Sequence, residues 1–439
     1  MATGLQSTST ACHVKHLTRL GMEGLSGLKM LADILGWLPR AKDSAQACGG
    51  PAKTFREMSL TTEFVSKSLT RREADLPQMV SNGHLFQDDG FWHPTIEDSF
   101  VVTGYEYYIR SPINLYNLTF YLGDYTTFAD TFHGENGVLP LTFHPLRYNE
   151  TKARTHFRVV KDMLRCFEWW MGPYPFYEDG YKLVEAPYLG MEHQSAIAYG
   201  NGYQMGYLGR DRSGTGVGML FDYIIIHESG HEWFGNNITA KDVADNWIHE
   251  GFTTYTETLY AEWIAGKEKA ARYNKGEWRG IENDRPVIGA YGINDDGSGD
   301  KYDKGAAVLH MIRTVVGDDE KFRRILRGLN REFRHQTVTT RQVEDYISEK
   351  SGHDFSAFFN QYLRTAQIPA LEWYRKGKKI HYRFTDVVPG FSLPVVMDGP
   401  FGNKVVVSDK WSSRDLDHGV EWEDNFLIKI EKVSKRSEL

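Results

Sequence analysis

The sequence predicts an α+β chain, with a mainly helical middle, a partial β domain before it and a small β module after it. Three observations predict this. Between about residues 80 and 148 the apolar residues are β-branched and aromatic, in short runs parted by turn signals. From 149 to 369 they recur at helical spacing between capping and stop residues. Beyond Ile368-Pro369, short strand patterns return through residues 370–439.

Residues 1–79 stand apart, rich in Ser, Thr, Gly, Ala and Lys, with one possible helix at 24–37. They read as a poorly ordered or divergent segment. The stretches 100–109 and 117–123 then read as strands separated by Ser111-Pro112. Residues 151–170 read as one helix, stopped by Gly172-Pro-Tyr-Pro, and 182–187 as a short strand. A helix begins near Phe221 and stops at Gly235-Asn236-Asn237, and a second covers 243–263. Thr339 with Gln342 three residues on is a capping-box spacing, and Asp354 is placed as the N-cap of the next helix. Strands follow at 371–374, 379–384 and 404–407.

Composition narrows the function classes. A chain of 439 residues with 41% hydrophobic and 25% charged residues is ordinary globular material, long enough for two or three domains. A formal charge of −7 and no Lys/Arg run argue against nucleic acid. No stretch reaches the length of a transmembrane span. The nearest approach to a signal core, 28–38, is broken by Lys29 and Asp33 and starts too late. Cys12, Cys48 and Cys166 are too scattered for a disulfide framework, and Cys166 reads as a buried thiol. Asn117, Asn149 and Asn237 lie in sequons, the last too near the central helix to carry a glycan.

That helix carries His227-Glu-Ser-Gly-His231, followed after eighteen residues by Glu250. Histidines four apart project from one helix face. Two imidazoles and a carboxylate suit one Zn²⁺ and leave a fourth tetrahedral position for water. His227, His231 and Glu250 are therefore the expected ligands, with Glu228 in reach of that water as general base. Glu257, seven residues after Glu250, shares its helix face and is expected to hydrogen-bond a ligand histidine. Thr239 and Asp245 are expected to orient ligands from behind.

With Gly190-Met-Glu-His193 ahead of this motif and Tyr302-Asp-Lys-Gly305 after it, the chain resembles the gluzincin aminopeptidases of the aminopeptidase N and leukotriene hydrolase group, in a bacterial-type branch. The resemblance covers about 80–370 well, the last seventy residues loosely and the first seventy-five hardly at all. It implies a thermolysin-like catalytic domain and zinc-dependent removal of N-terminal residues from peptides. It implies that Tyr302 stabilises the oxyanion, which a phenol can do without ionising. It also implies that Glu192 pairs with the substrate's α-ammonium, while the backbone at Gly190 and Met191 lines the peptide as an added strand.

Two departures qualify this. Leu189 replaces the motif's first Gly, and His193 stands where the family usually has Asn. Only the last strands of the family's large N-terminal β domain are recognisable, so the chain is expected to be truncated, divergent or fused. Two other readings stand beside the aminopeptidase: a zinc endopeptidase on the same site, and a silent peptide-binding protein. Relatives in this branch imply export, which no signal in the chain supports. First-residue preference and oligomeric state are not legible.

Overall fold

The computed structural model describes residues 54–55, 58–66, 78–94, 99–397, 403–416 and 419–434. The helix expected at 24–37, Cys12 and Cys48 lie outside them. The chain forms two compact units, one of Met1–Val159 with Phe176–Gly200, the other of Val160–Pro175 with Asn201–Leu439.

The first unit is built on strands. A three-stranded antiparallel sheet sets Ser99–Ile109 between Met58–Ser66 and His84–Pro94. A mixed five-stranded sheet runs Phe128–Gly134, Gly137–His144, Tyr181–Glu185, Ile197–Tyr199 and, at its end, Gly190–Met191. Gly137–His144 alternates as a one-face-covered strand should, with Leu139, Leu141 and Phe143 buried. Phe143 stacks on Phe157, which meets Tyr199 edge-on, so aromatic rings fasten the helical segment to the sheet.

Two expected elements of this unit differ. The strand expected at 117–123 is only Phe120–Gly123, because Asn117 closes a 3₁₀ turn and its carbonyl accepts from Asn82. The helix expected at 151–170 is two, Glu150–His156 and Val159–Met171. It breaks where Phe157 turns inward, at the point where the chain passes from the first unit to the second.

The second unit is mainly helical. Every residue of the motif helix Tyr223–Gly230 is buried, its apolar Tyr223–Ile226 start as well as its polar end, which marks a core helix. Ile225 and Ile226 alone each contribute about 1.5–3 kcal/mol of burial. The long helix Trp247–Ala265 packs against it and is buried from Trp247 to Ala261. Helices Lys267–Glu277, Asp303–Val316, Asp319–Glu332, Thr340–Ser351 and Ser356–Arg364 follow. The Thr339–Gln342 capping box forms in both directions. The last helix starts one residue later than expected, at Ser356, whose N–H is accepted by Asp354.

A four-stranded sheet follows in the order Ser412–Asp415, Lys379–Thr385, Ala370–Lys376, Lys429–Lys432, with a hairpin of Ser392–Met397 and Asn403–Ser408. These strands lie in the same compact unit as the helices, and Tyr362 of the last helix donates to the Leu427 carbonyl.

Candidate metal centre

Asp222 starts the site. Its buried carboxylate accepts from the N–H groups of Ile224 and Ile225 and from Asn201, capping the motif helix. His227 and Glu228 lie in the last turn, and His231 is the C-cap. The helix therefore ends earlier than Gly235-Asn236-Asn237 suggests. Beyond it the N–H groups of Asn236, Asn237 and Ile238 reach back five residues, to His231, Glu232 and Trp233. This widened turn lets the chain reverse toward the long helix.

Glu250 lies in the first turn of that helix, where the dipole favours an anion. Gly230 permits the crossing: a Cβ there would meet Thr256 Oγ1 at 2.6 Å and Thr253 Cγ2 at 3.2 Å. The result brings the three expected ligands together. One ligand atom from each of His227, His231 and Glu250 lies within 4.8 Å of the others, and all three residues are buried. Glu250 Oε2 stands 3.7 Å from His227 Nε2 and 3.2 Å from His231 Nε2. Donors held at zinc bond lengths in tetrahedral geometry stand about 3.3–3.5 Å apart.

The opposite ring nitrogens determine which atoms face inward. His231 Nδ1 lies 3.0 Å from the Phe234 carbonyl, and a carbonyl can only accept, so Nδ1 carries the proton. His227 Nδ1 donates to Glu257 Oε1 at 2.7 Å, while Tyr273 donates to the other oxygen at 2.5 Å. With each Nδ1 engaged on its far side, both Nε2 atoms face the Glu250 carboxylate. Two imidazole nitrogens and a carboxylate oxygen converging in a buried space are a donor set that fits a divalent cation, which takes the place of the ring protons when bound. The negative charge around the rings shows in their titration. Burial pushes the His227 imidazole down, but Glu250 and Glu257 outweigh it and raise it to about 10. Burial works against the Glu250 carboxylate, yet His231 and His227 hold it well below the usual range.

Tyr302 sits between a 3₁₀ turn and the helix Asp303–Val316, its ring centroid 6.1 Å from that of His227. The two helices that carry Glu250 and follow Tyr302 meet backbone to backbone. A Cβ on Gly251 would lie 2.9 Å from Gly305 Cα, and one on Gly305 would lie 2.7 Å from Gly251 Cα. Glu228, buried, follows His227 on the motif helix.

Gly190, Met191 and Glu192 belong to the first unit. Gly190–Met191 is the end strand of the five-stranded sheet, paired with Ile197–Tyr199, and Glu192 is buried just beyond it. His193 Nδ1 lies 2.7 Å from the Tyr121 hydroxyl, which also lies 2.7 Å from the Ala196 carbonyl. The phenol proton serves the carbonyl, so His193 Nδ1 is the donor and the ring's tautomer is set.

Thr239 donates to the Gly235 carbonyl, and Asp245 accepts from Tyr291 and Thr340, contacts that brace the connection between the two helices. Tyr223 was missed. Its ring lies flat on His227, centroids 5.2 Å apart and planes within 13°. The i−4 spacing was the available signal.

Residues 159–362 match the peptidase family M1 domain. This match, with the relatives below, supports the gluzincin aminopeptidase family. Aminopeptidase N of Lactobacillus helveticus is 24% identical over 269 residues, 55% of this chain and 30% of the relative. A probable aminopeptidase 1 of Sulfurisphaera tokodaii is 22% identical over 298 residues, 64% of this chain and 37% of the relative. The chain thus spans about a third of the length of these curated relatives. Among solved structures, the M1 zinc metallopeptidase of Deinococcus radiodurans aligns with a TM-score of 0.54 at 19% identity, over 73% of this chain and 65% of that one. A mutant of it bound to a Tyr-Ser-Ala substrate aligns equally well, over 66% of that chain. At this identity the likeness speaks for the M1 fold.

Proposed function

We propose that this M1-family chain is an aminopeptidase holding one zinc ion at His227, His231 and Glu250 and acting on peptides with a free N-terminus. The observation that carries the reading is the buried convergence of three metal-ligand acceptors, with a phenol ring packed beside one of them. Bound zinc would supply Lewis-acid polarisation of the scissile carbonyl and a lowered pKa for water. Glu228 takes the proton of the attacking water at its carboxylate and passes it to the leaving amine. The Tyr302 hydroxyl donates to the oxyanion that develops. Glu192 receives the substrate's α-ammonium, and the end strand Gly190–Met191 offers a sheet edge along which the peptide backbone lies.

The test is zinc-dependent fluorophore release from a panel of aminoacyl substrates, with Glu228→Ala as control. Wild type should turn over, lose activity to a chelator and regain it with zinc. Glu228→Ala should keep zinc and lose roughly 10²–10⁴-fold in kcat. Acetylating the substrate's N-terminus should abolish cleavage. Cleavage that survives acetylation would identify an endopeptidase, and a zinc-loaded wild type that cleaves nothing would sink the proposal.

A further inference from the structure

We infer that Arg212 is a positioning residue for this site, clamping the ring behind His227 and the start of the Tyr302 helix into one rigid arrangement. Arg212 lies outside every motif that points to the chemistry, in the loop Asp211-Arg-Ser-Gly-Thr-Gly216. Its guanidinium reaches both supports of the site. Nη1 donates to the Tyr223 hydroxyl at 2.7 Å. Nη2 donates to Asp303, 3.2 and 3.4 Å from its two oxygens, and stands 3.7 Å from Glu277 Oε2. Tyr223 stacks on His227, and its hydroxyl lies 3.4 Å from His227 Nδ1. Asp303 is the residue after Tyr302 and opens its helix. A single planar fork therefore touches the backing of a metal-ligand ring and the neighbour of the oxyanion donor.

The loop is built to hold that fork still. Asp211 accepts from Ser213 Oγ at 2.7 Å and from the Gly216 N–H at 2.5 Å. Arg279 donates to the Ser213 carbonyl, and that carbonyl sits so close to Gly276 that a Cβ there would come within 2.4 Å. The backbone at Arg212 thus has little freedom to follow a shorter or rounder side chain. Charge is a second role for the same group. Burial pushes Glu277 up to about 8 and Asp303 up to about 6, and Arg212 opposes both shifts. A lysine keeps the charge but not the bidentate fork, so the two roles separate experimentally.

The kinetic part of the test rests on the aminopeptidase reading, and the metal-binding part does not. Arg212→Lys and Tyr223→Phe are made singly and together in the full chain, the second keeping the ring on His227 while removing the hydroxyl. Zinc release to a chelator, kcat and KM on an aminoacyl substrate, and Tm are measured for each. Both single variants should release zinc about tenfold faster or more. Each should lose about tenfold in kcat with KM within about twofold of wild type. The double variant should be no worse than the poorer single one, because both break the same tie. Unchanged zinc release and kcat in both single variants would overturn the inference, as would losses that add in full. Should Arg212→Lys not fold, Tyr223→Phe decides alone. If wild type binds zinc and cleaves no substrate, the functional reading has failed, while zinc release from the variants still judges Arg212.

Discussion

His227 carries three demands at once: a ring nitrogen facing Glu250, a proton given to Glu257, and an aromatic face covered by Tyr223. Glu257 meets the second demand and adds negative charge behind the ring, which makes the inward nitrogen a better ligand. Glu257→Gln keeps the shape and removes the charge. Its zinc affinity, measured by competition with a chromophoric chelator, should fall about 10–100-fold. An unchanged affinity would show that Glu257 merely fills space. Glu257 was legible because helix periodicity puts it on the Glu250 face. Tyr223 was legible in principle by the same rule. Arg212 was not, since its contacts run to residues 11, 65 and 91 positions away in a loop with no periodicity.

At the scale of elements, glycines set the spacing. Gly inside a helix costs about 1 kcal/mol relative to Ala, so Gly251 and Gly305 need a packing reason. They have one, because their backbones touch. Gly305→Ala should cost about 1–3 kcal/mol through overpacking. It should also lower kcat more than it raises KM, because the helix that moves begins beside Tyr302. Thermal unfolding and steady-state kinetics check this; an alanine at 305 that alters neither would remove the spacing argument. Local signals predicted elements better than their ends. The Thr339–Gln342 box appears as its spacing requires, since both partners lie within one turn. The split of 151–170 does not show in the sequence, because it depends on where Phe157 finds Phe143 and Tyr199.

For the whole molecule, a metal that joins two helices should report on global stability. His231 closes the motif helix and Glu250 opens the long helix, so an ion held by both ties together two elements of the core. Zinc at about 1,000 times its Kd adds about 4 kcal/mol to the native state. Chelation should therefore lower Tm by about 4–8 °C, with recovery on adding zinc. A Tm indifferent to chelator in wild type would contradict a metal in that position.

By itself the sequence determined the α+β composition, the order of the main elements and the identity of the expected ligands. Those signals are local: helix period, capping chemistry, and histidines one turn apart. Only the tertiary structure decided that Glu250 meets both imidazoles, which nitrogen of each ring faces inward, and that Arg212 and the paired glycines frame the site. Each of those depends on a hydrogen bond or a backbone contact between segments far apart in the chain, and such contacts leave no periodic trace in the residues that make them.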